Sequence, residues 1–411
     1  MDRQQFLNFK WKKYPVLQKR SSFFGRVHEF YKHTAWDVVL VREGQNELRR
    51  FENLYMWEHP EADISKILSV GDLISVASDG SVTLLAPQLS KLPLKKMRFE
   101  YLRLWPEFLF YVREFFRERD FLEITTPNLV GCPGTEPSLD YFHTHLIRGS
   151  KNEKLFLPTS PELHLKKALA FGGERIFEIK TCFRNGEVSE NHQPEFTMIE
   201  WYRAYESLPS IKRDVADLVH YLVSKMPTLR SPLAYDTFSM QQLFQLHCGF
   251  DLKPGTGLEE LKDLAQKLKI DVKSATQIDD YFFLIFLSQI ESSLIAENLV
   301  FIEMYPPYQA ALARLTDHGW GDRLEVYWQG LEIANAFHEL NDPEVQRERF
   351  AADLAKKHQL KKELVPLDQE FLQCLEAGMP PSSGIAMGLE RLFMALTGIK
   401  DIADTRLFPI K

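Results

Sequence analysis

FEIKTCFRNGEVSENHQPEFTMIEWYRAY, residues 177–205, reads as two strands joined by a polar loop. The first strand ends at Arg184, the loop carries His192 and Pro194, and EFTMIEWYRAY returns. Strand side chains alternate between faces, so Phe196, Met198, Glu200 and Tyr202 share one. An aromatic ring, a carboxylate and a phenol on one face make a pocket floor for a ligand with an aromatic part and an amine. A buried carboxylate needs a partner, which a substrate ammonium would supply. A half-buried strand with a structural ion pair has the same pattern, and this segment alone leaves both readings open.

Three further segments extend the pattern. In LEVYWQGLEIANAFHELND (324–342) a two-residue turn at Gln329-Gly330 would pair Tyr327 with Glu332. Glu325 and Glu332 would then lie diagonally on one face, where two carboxylates repel unless they hold a cation. Alternation sends Asn335, Phe337 and Glu339 to the other face. A bulge near Ala334–Ala336 is required if all five share a site. In PPSSGIAMGLERLFMALTG (380–398), Gly384 and Gly388 permit close backbone approach to a ligand. Arg391 lies three residues after Gly388, at the start of a helix ended by Gly398. A guanidinium beside a helix N-terminus suits polyphosphate. In LPTSPELHLKKALAFGGERIFEI (157–179), Ser160 and Pro161 resemble a helix N-cap and first turn, with Glu162 aimed where a ligand amine could dock. Each segment alone also fits ordinary strand, packing or capping roles.

Further outward, residues 22–90 carry five short β-rich stretches: SFFGRVHEF, AWDVVLVRE, NELRRFENLYMW, DLISVAS and SVTLLAP. Five strands in this span predict a small all-β barrel of the OB type, with a short helix near EADISKIL. Its aromatics Trp36, Phe51, Tyr55 and Trp57 suit either a core or base stacking. LSKLPLKK (89–96) reads as a linker. Beyond it strands and helices mix, with a mostly helical stretch over 208–300 and a helix at 342–358. The expected fold class is therefore α+β with an antiparallel sheet flanked by helices. The expected domains are 1–95, the OB-like barrel, and 96–411, catalytic.

The chain has 411 residues, 45% of them apolar, and a net charge of −7. That balance argues against a protein that coats nucleic acid or membrane along its length. The first 95 residues are mildly basic, with 14 Lys+Arg against 11 Asp+Glu; the rest carry 36 against 46. Cys132, Cys182, Cys248 and Cys374 are scattered without a C-x-x-C pair, which disfavours zinc and disulfides and fits a reducing cytoplasm. The N-terminal MDRQQFLNFKWKKYP has no apolar core of a signal peptide, and no run of 18 apolar residues predicts a membrane span.

Together the four segments resemble the catalytic core of class II aminoacyl-tRNA synthetases, specifically the lysyl group, over residues 97–411. FLEITTP (121–127) is similar to the first class motif, which forms the dimer interface in that family. FRNG…HQPEFTMIEWY is similar to the second motif and GIAMGLERLF to the third. The resemblance implies a homodimer that uses ATP and Mg²⁺ to form an aminoacyl-adenylate. It implies that Arg184 binds the α-phosphate, Arg391 the γ-phosphate, and that Phe196 stacks on adenine. Asn185, Gly186, Glu187, His192, Gln193, Glu332, Ile333 and Gly388 fall at further nucleotide positions. Glu325 and Glu332 fall at metal positions. Ser160, Glu162, Glu200, Tyr202, Asn335, Phe337, Glu339 and Ala386 would surround the amino acid.

The family has two relevant branches: lysyl-tRNA synthetases, and a shortened branch that attaches (R)-β-lysine to a lysine of elongation factor P. TSPELHLKK, EWYRAY, YQAALA (308–313) and FHEL (337–340) resemble the shortened branch. So does Ala386, where synthetases usually have Gly. The N-terminal barrel resembles the synthetases and keeps tRNA as an alternative partner. Three positions depart from the family pattern: Gly186 where Glu is usual, Gln193 where Asn is, and Ala336 where Gly is. Either Glu187 takes over the adenine contact through a shifted loop, or nucleotide recognition is weaker.

Overall fold

The structure, a computed structural model, describes residues 22–31, 35–42, 45–52, 54–56, 61, 63–69, 72–86, 96–273, 275–295, 297–406 and 408–410. The chain splits into two units, Met1–Glu107 and Phe108–Lys411.

The first unit holds β1 (Ser22–Tyr31), β2 (Ala35–Arg42), β3 (Gln45–Glu52), β4 (Tyr55–Met56), β5 (Leu73–Ala77) and β6 (Ser81–Ala86). They form one sheet in the order β3-β2-β1-β5-β6-β4. β4 follows β3 almost at once and pairs in parallel with β6. The two edges of the sheet therefore come from adjacent stretches of chain, the arrangement of a small barrel-like domain. NELRRFENLYMW, expected as one strand, is broken into β3 and β4. Met56, Ile67, Ile74, Val76 and Val82 are fully buried inside. The helix expected near EADISKIL is a single turn, Ile64–Lys66, capped by the Asp63 carboxylate. Of the expected linker at 89–96 only Lys96 is described, already at the start of a helix, and the side chains of Trp36, Phe51, Tyr55 and Trp57 lie outside the described residues.

The second unit is built on an eight-stranded sheet, β12-β13-β14-β15-β16-β11-β10-β7. In chain order the strands are β7 (Leu122–Glu123), β10 (Arg175–Phe183), β11 (Glu195–Ala204), β12 (Tyr235–Ser239), β13 (Leu299–Tyr305), β14 (Gly321–Trp328), β15 (Leu331–His338) and β16 (Ser382–Gly388). A separate hairpin, β8 (His143–Arg148) and β9 (Lys151–Phe156), lies beside it. The six central strands are antiparallel; only the edge pairs β12/β13 and β10/β7 are parallel. FLEITTP contributes just the two residues of β7.

The helices are α1 (Lys96–Arg117), α2 (Glu162–Ala170), α3 (Leu208–Lys225), α4 (Met240–Cys248), α5 (Leu258–Lys267), α6 (Ile278–Ile285), α7 (Pro343–Gln359), α8 (Gln369–Gly378) and α9 (Leu389–Thr397). α3 begins with a Pro in its first turn, and α9 ends on Gly398 at φ 81, as its sequence predicts. One face of the sheet carries Ile199 and Trp201, both fully buried. Phe116 of α1 packs on Trp201, and Asp214 of α3 accepts from its indole N–H at 3.1 Å. The other parity of β11, with Glu200, faces a cleft. α4, α5 and α6 form a satellite core with Tyr305, Trp320 and Tyr327 at the β13–β14 end. The cleft therefore has a rigid sheet for its floor.

Candidate active site

The cleft has a volume of about 570 Å³. Phe196, Met198 and Glu200 of β11 line it, as alternation requires; Tyr202 lies just beneath and donates to Glu200 Oε2 at 3.1 Å. Gln329 and Gly330 both have positive φ, 54° and 77°, which makes a type I′ turn. Tyr327 pairs with Glu332 as expected, but Val326 pairs with Ala334. The extra residue is Ile333, slightly before the predicted bulge. It resets the alternation, so Glu325 faces Asn335 and Arg323 faces Phe337. Arg323, Glu325, Glu332, Asn335 and Phe337 accordingly all line the cleft. Ser160 caps as expected, accepting from Glu162 N–H at 3.1 Å, although the helix proper starts one residue later than the motif suggests.

At one end Glu162 and Glu200 line the cleft, while Glu339, 1% exposed, lies beneath the surface and reaches them only through Lys166. Lys166, 1% exposed, places Nζ 2.5 Å from Glu162 and 2.6 Å from Glu339. Burial works against its charge, but the two carboxylates outweigh that and hold the ammonium above its ordinary pKa. Glu339 is pushed up to about 7, by burial first, with Lys166 pulling the other way. Burial and then the Glu162 charge push Glu200 well above the usual carboxylate range. Its Oε1 is buried without a formed hydrogen bond, next to Ser160. Ala386 pairs with Glu200 on one side and Asn335 on the other, so its methyl lies between them on the floor. Gly384, expected to let a ligand approach, instead makes room for protein. A Cβ there would meet the Tyr202 ring at 2.2 Å and Glu339 Oε1 at 2.7 Å. At Gly388 a Cβ would meet only the Arg391 side chain, at 3.8 Å.

At the other end lie the cations. Arg391 donates to the Glu332 carbonyl at 2.8 Å and to His192 Nε2 at 2.6 Å. A guanidinium only donates, so Nε2 is the acceptor and Nδ1–H points to Ser189 Oγ, 2.8 Å away. Burial, then Arg391, lower the His192 pKa and keep the ring neutral. Arg184 lies 5.2 Å over the Phe196 ring, with its Nε buried and unpaired. Gln193 Oε1 is likewise buried and unpaired. Orphaned polar atoms of this kind have no partner within the protein, and water or a ligand would supply it. Gly186 has φ 81° with open space around a Cβ, so the turn rather than crowding favours glycine. Glu187 lines the cleft 3.9 Å from Arg184, whereas Asn185 bridges to Asp140 outside it.

The Glu325/Glu332 pair fits a cation. Burial and the Glu325 charge push Glu332 up to about 7. Glu325 itself is held by Arg323 and by the Tyr327 hydroxyl at 3.0 Å. Among the described residues no group of three metal-ligating side chains occurs. Sequence reasoning missed Lys166, Arg323 and Glu136. Lys166 lies one helical turn after Glu162 and Arg323 alternates with Glu325, so both had a signal; Glu136, in the PGTEP loop, had none.

The family model for class II tRNA synthetases (D, K and N) matches residues 88–411, and the chain belongs to that family. It is similar to the elongation factor P–(R)-β-lysine ligase of Proteus mirabilis, at 36% identity over 306 residues. The match covers 73% of this chain and 91% of that protein. It is similar to the same-named ligase of Salmonella paratyphi B, at 35% identity over 305 residues with the same coverage. β1–β6 fall before the family match. All four cysteines are free and buried. Among the described residues no helix is long and apolar enough to cross a membrane.

Proposed function

We propose that this chain, a cytoplasmic homodimer, activates (R)-β-lysine with ATP as the aminoacyl-adenylate and transfers it to a lysine of elongation factor P. Residues 96–411 form the catalytic domain in this reading. The pocket carboxylates carry it: Glu162, Glu200 and Glu339 outnumber the single ammonium of Lys166, and a substrate with two amines would supply the positive charge that ionises the buried pair Glu200 and Glu339. The Ala386 methyl between Glu200 and Asn335 narrows the floor beside the substrate backbone, which favours the displaced amine of a β-amino acid.

In the first step a substrate carboxylate oxygen attacks the α-phosphorus, and pyrophosphate leaves with the electron pair of the broken bond. The carboxylate is already ionised, so no base is needed and catalysis is positioning plus electrostatics. The unpaired Arg184 Nε–H offsets charge at the α-phosphate. Arg391, braced by His192 and the Glu332 carbonyl, holds the terminal phosphate. Phe196 stacks on adenine, with Glu187 and Gln193 at its edge. Glu325 and Glu332 would hold Mg²⁺, which neutralises phosphate charge when bound.

Pyrophosphate exchange with (R)-β-lysine against L-lysine tests the substrate, and preference for L-lysine sinks it. A second reading, charging of lysine tRNA, draws on the barrel-like sheet of β1–β6. Labelled amino acid offered to tRNA and to elongation factor P separates the two.

A further inference from the structure

A second cleft of about 720 Å³ shares Glu136, Ser160 and Glu162 with the wall of the first. It is bounded by the PGTEP loop, α6, α7 and the loop before β14. Its wall includes Asp279, Asp280 and Asp353, with Arg349 and Lys356 as cations. Most of these are engaged: Asp279 with Lys356, Asp353 with Thr135 at 3.0 Å, Arg349 with the Ala311 and Ala313 carbonyls. Glu136 Oε2 is different, being buried with no hydrogen-bond partner. Gly134, at φ 127°, makes its position possible: a Cβ there would come within 2.3 Å of Oε2.

We infer that Glu136 is the general base of the transfer step, placed where an acceptor lysine entering by the second cleft meets the adenylate in the first. This rests on the proposed protein-lysine acceptor. An acceptor amine arrives as an ammonium and cannot attack until it loses a proton. The Glu136 carboxylate takes that proton. The freed nitrogen lone pair attacks the acyl carbon, the carbon–oxygen bond to phosphate breaks, and AMP leaves with its electron pair. The surplus proton on the new amide nitrogen passes to water, and Glu136 returns its own to solvent. The charged groups around Glu136 fit this placement. Glu162 marks the amino-acid end and Arg184 the α-phosphate end, with Asp353 and Lys357 facing it from α7 and Cys132 and Tyr141 beside it. Burial first, and then the Glu162 charge, push its carboxyl up to about 7, suited to a base working near neutrality.

The test uses the full chain and two small nucleophiles against its enzyme-bound adenylate in single turnover. Nα-acetyl-lysine methylamide is an ammonium at neutral pH; hydroxylamine is already neutral. For Glu136→Gln the rate with the lysine amide, divided by the rate of pyrophosphate exchange, is expected to fall about 100-fold. The hydroxylamine rate divided by exchange should fall far less. Glu136→Asp should recover part of the loss, and the wild-type lysine-amide rate should rise with pH through about 7. Equal losses with both nucleophiles, a loss of exchange as large as the loss of transfer, or no loss would each overturn the assignment. Failure of the wild-type chain to modify elongation factor P would overturn the proposed acceptor and leave this comparison readable.

Discussion

Lys166 Nζ touches two carboxylates of the amino-acid pocket and is itself 1% exposed. Removing one partner of a buried ion pair strands the other charges. Lys166→Met should therefore destabilise the chain by about 3–5 kcal/mol, read as a lower chemical denaturation midpoint. A change below about 1 kcal/mol would mean that water reaches these carboxylates. Ala386→Gly removes one methyl from the floor. Such a change is worth roughly 10-fold or more in discrimination, so the kcat/KM ratio for (R)-β-lysine over L-lysine should drop by about that factor. An unchanged ratio would place the selectivity elsewhere. Glu136 makes a pH prediction. Its folded pKa is raised, so the folded state holds the proton more tightly than the unfolded chain. Its contribution is then fully present below about 4.5 and is lost as pH rises through about 7. Glu136→Gln should match the wild type in thermal stability at low pH and exceed it above pH 7, by up to about 3 kcal/mol. A difference that does not vary with pH would contradict this. The carboxylates were legible at this scale because alternation and helix spacing are local. Lys166 was less so, because nothing local says which of two adjacent lysines, both buried, meets the pocket carboxylates.

At the scale of the element, the β14–β15 hairpin decides which side chains reach the ligand. Its I′ turn was readable from Gln329-Gly330 and its register followed. The need for a bulge was readable too, but its place was not. Ile333 is displaced because the strands on both sides, β14 and β16, fix the register of Ala334 through Phe337. The turn itself can be tested. Gly330 has φ 77°, and a Cβ there would meet Ile295 Cγ1 at 3.2 Å. Gly330→Val should cost about 1–2 kcal/mol in denaturant unfolding. Neutrality would mean that the turn adopts another type. Gly384 is a similar lesson: its glycine was visible, but that Tyr202 and Glu339 fill the space depends on two other strands.

At the scale of the whole molecule, the family match begins at residue 88 and the ligase relatives align over 73% of this chain. A chain of residues 88–411 should then fold and keep pyrophosphate exchange within about 3-fold, since catalysis there needs only the cleft. Loss of exchange would make the barrel part of the catalytic unit. The sequence determined the strands of the first unit, the α+β class, the motif order and most of the polar residues that line the cleft. These follow from periodicity, turn chemistry and charge, which act within a dozen residues. Only the tertiary structure decided that Lys166 neutralises part of the pocket, that Arg323 grips Glu325, and that Glu136 stands unpaired between two clefts. Each of these depends on burial and on partners brought together by the sheet from up to about two hundred residues away, where no local pattern carries the information.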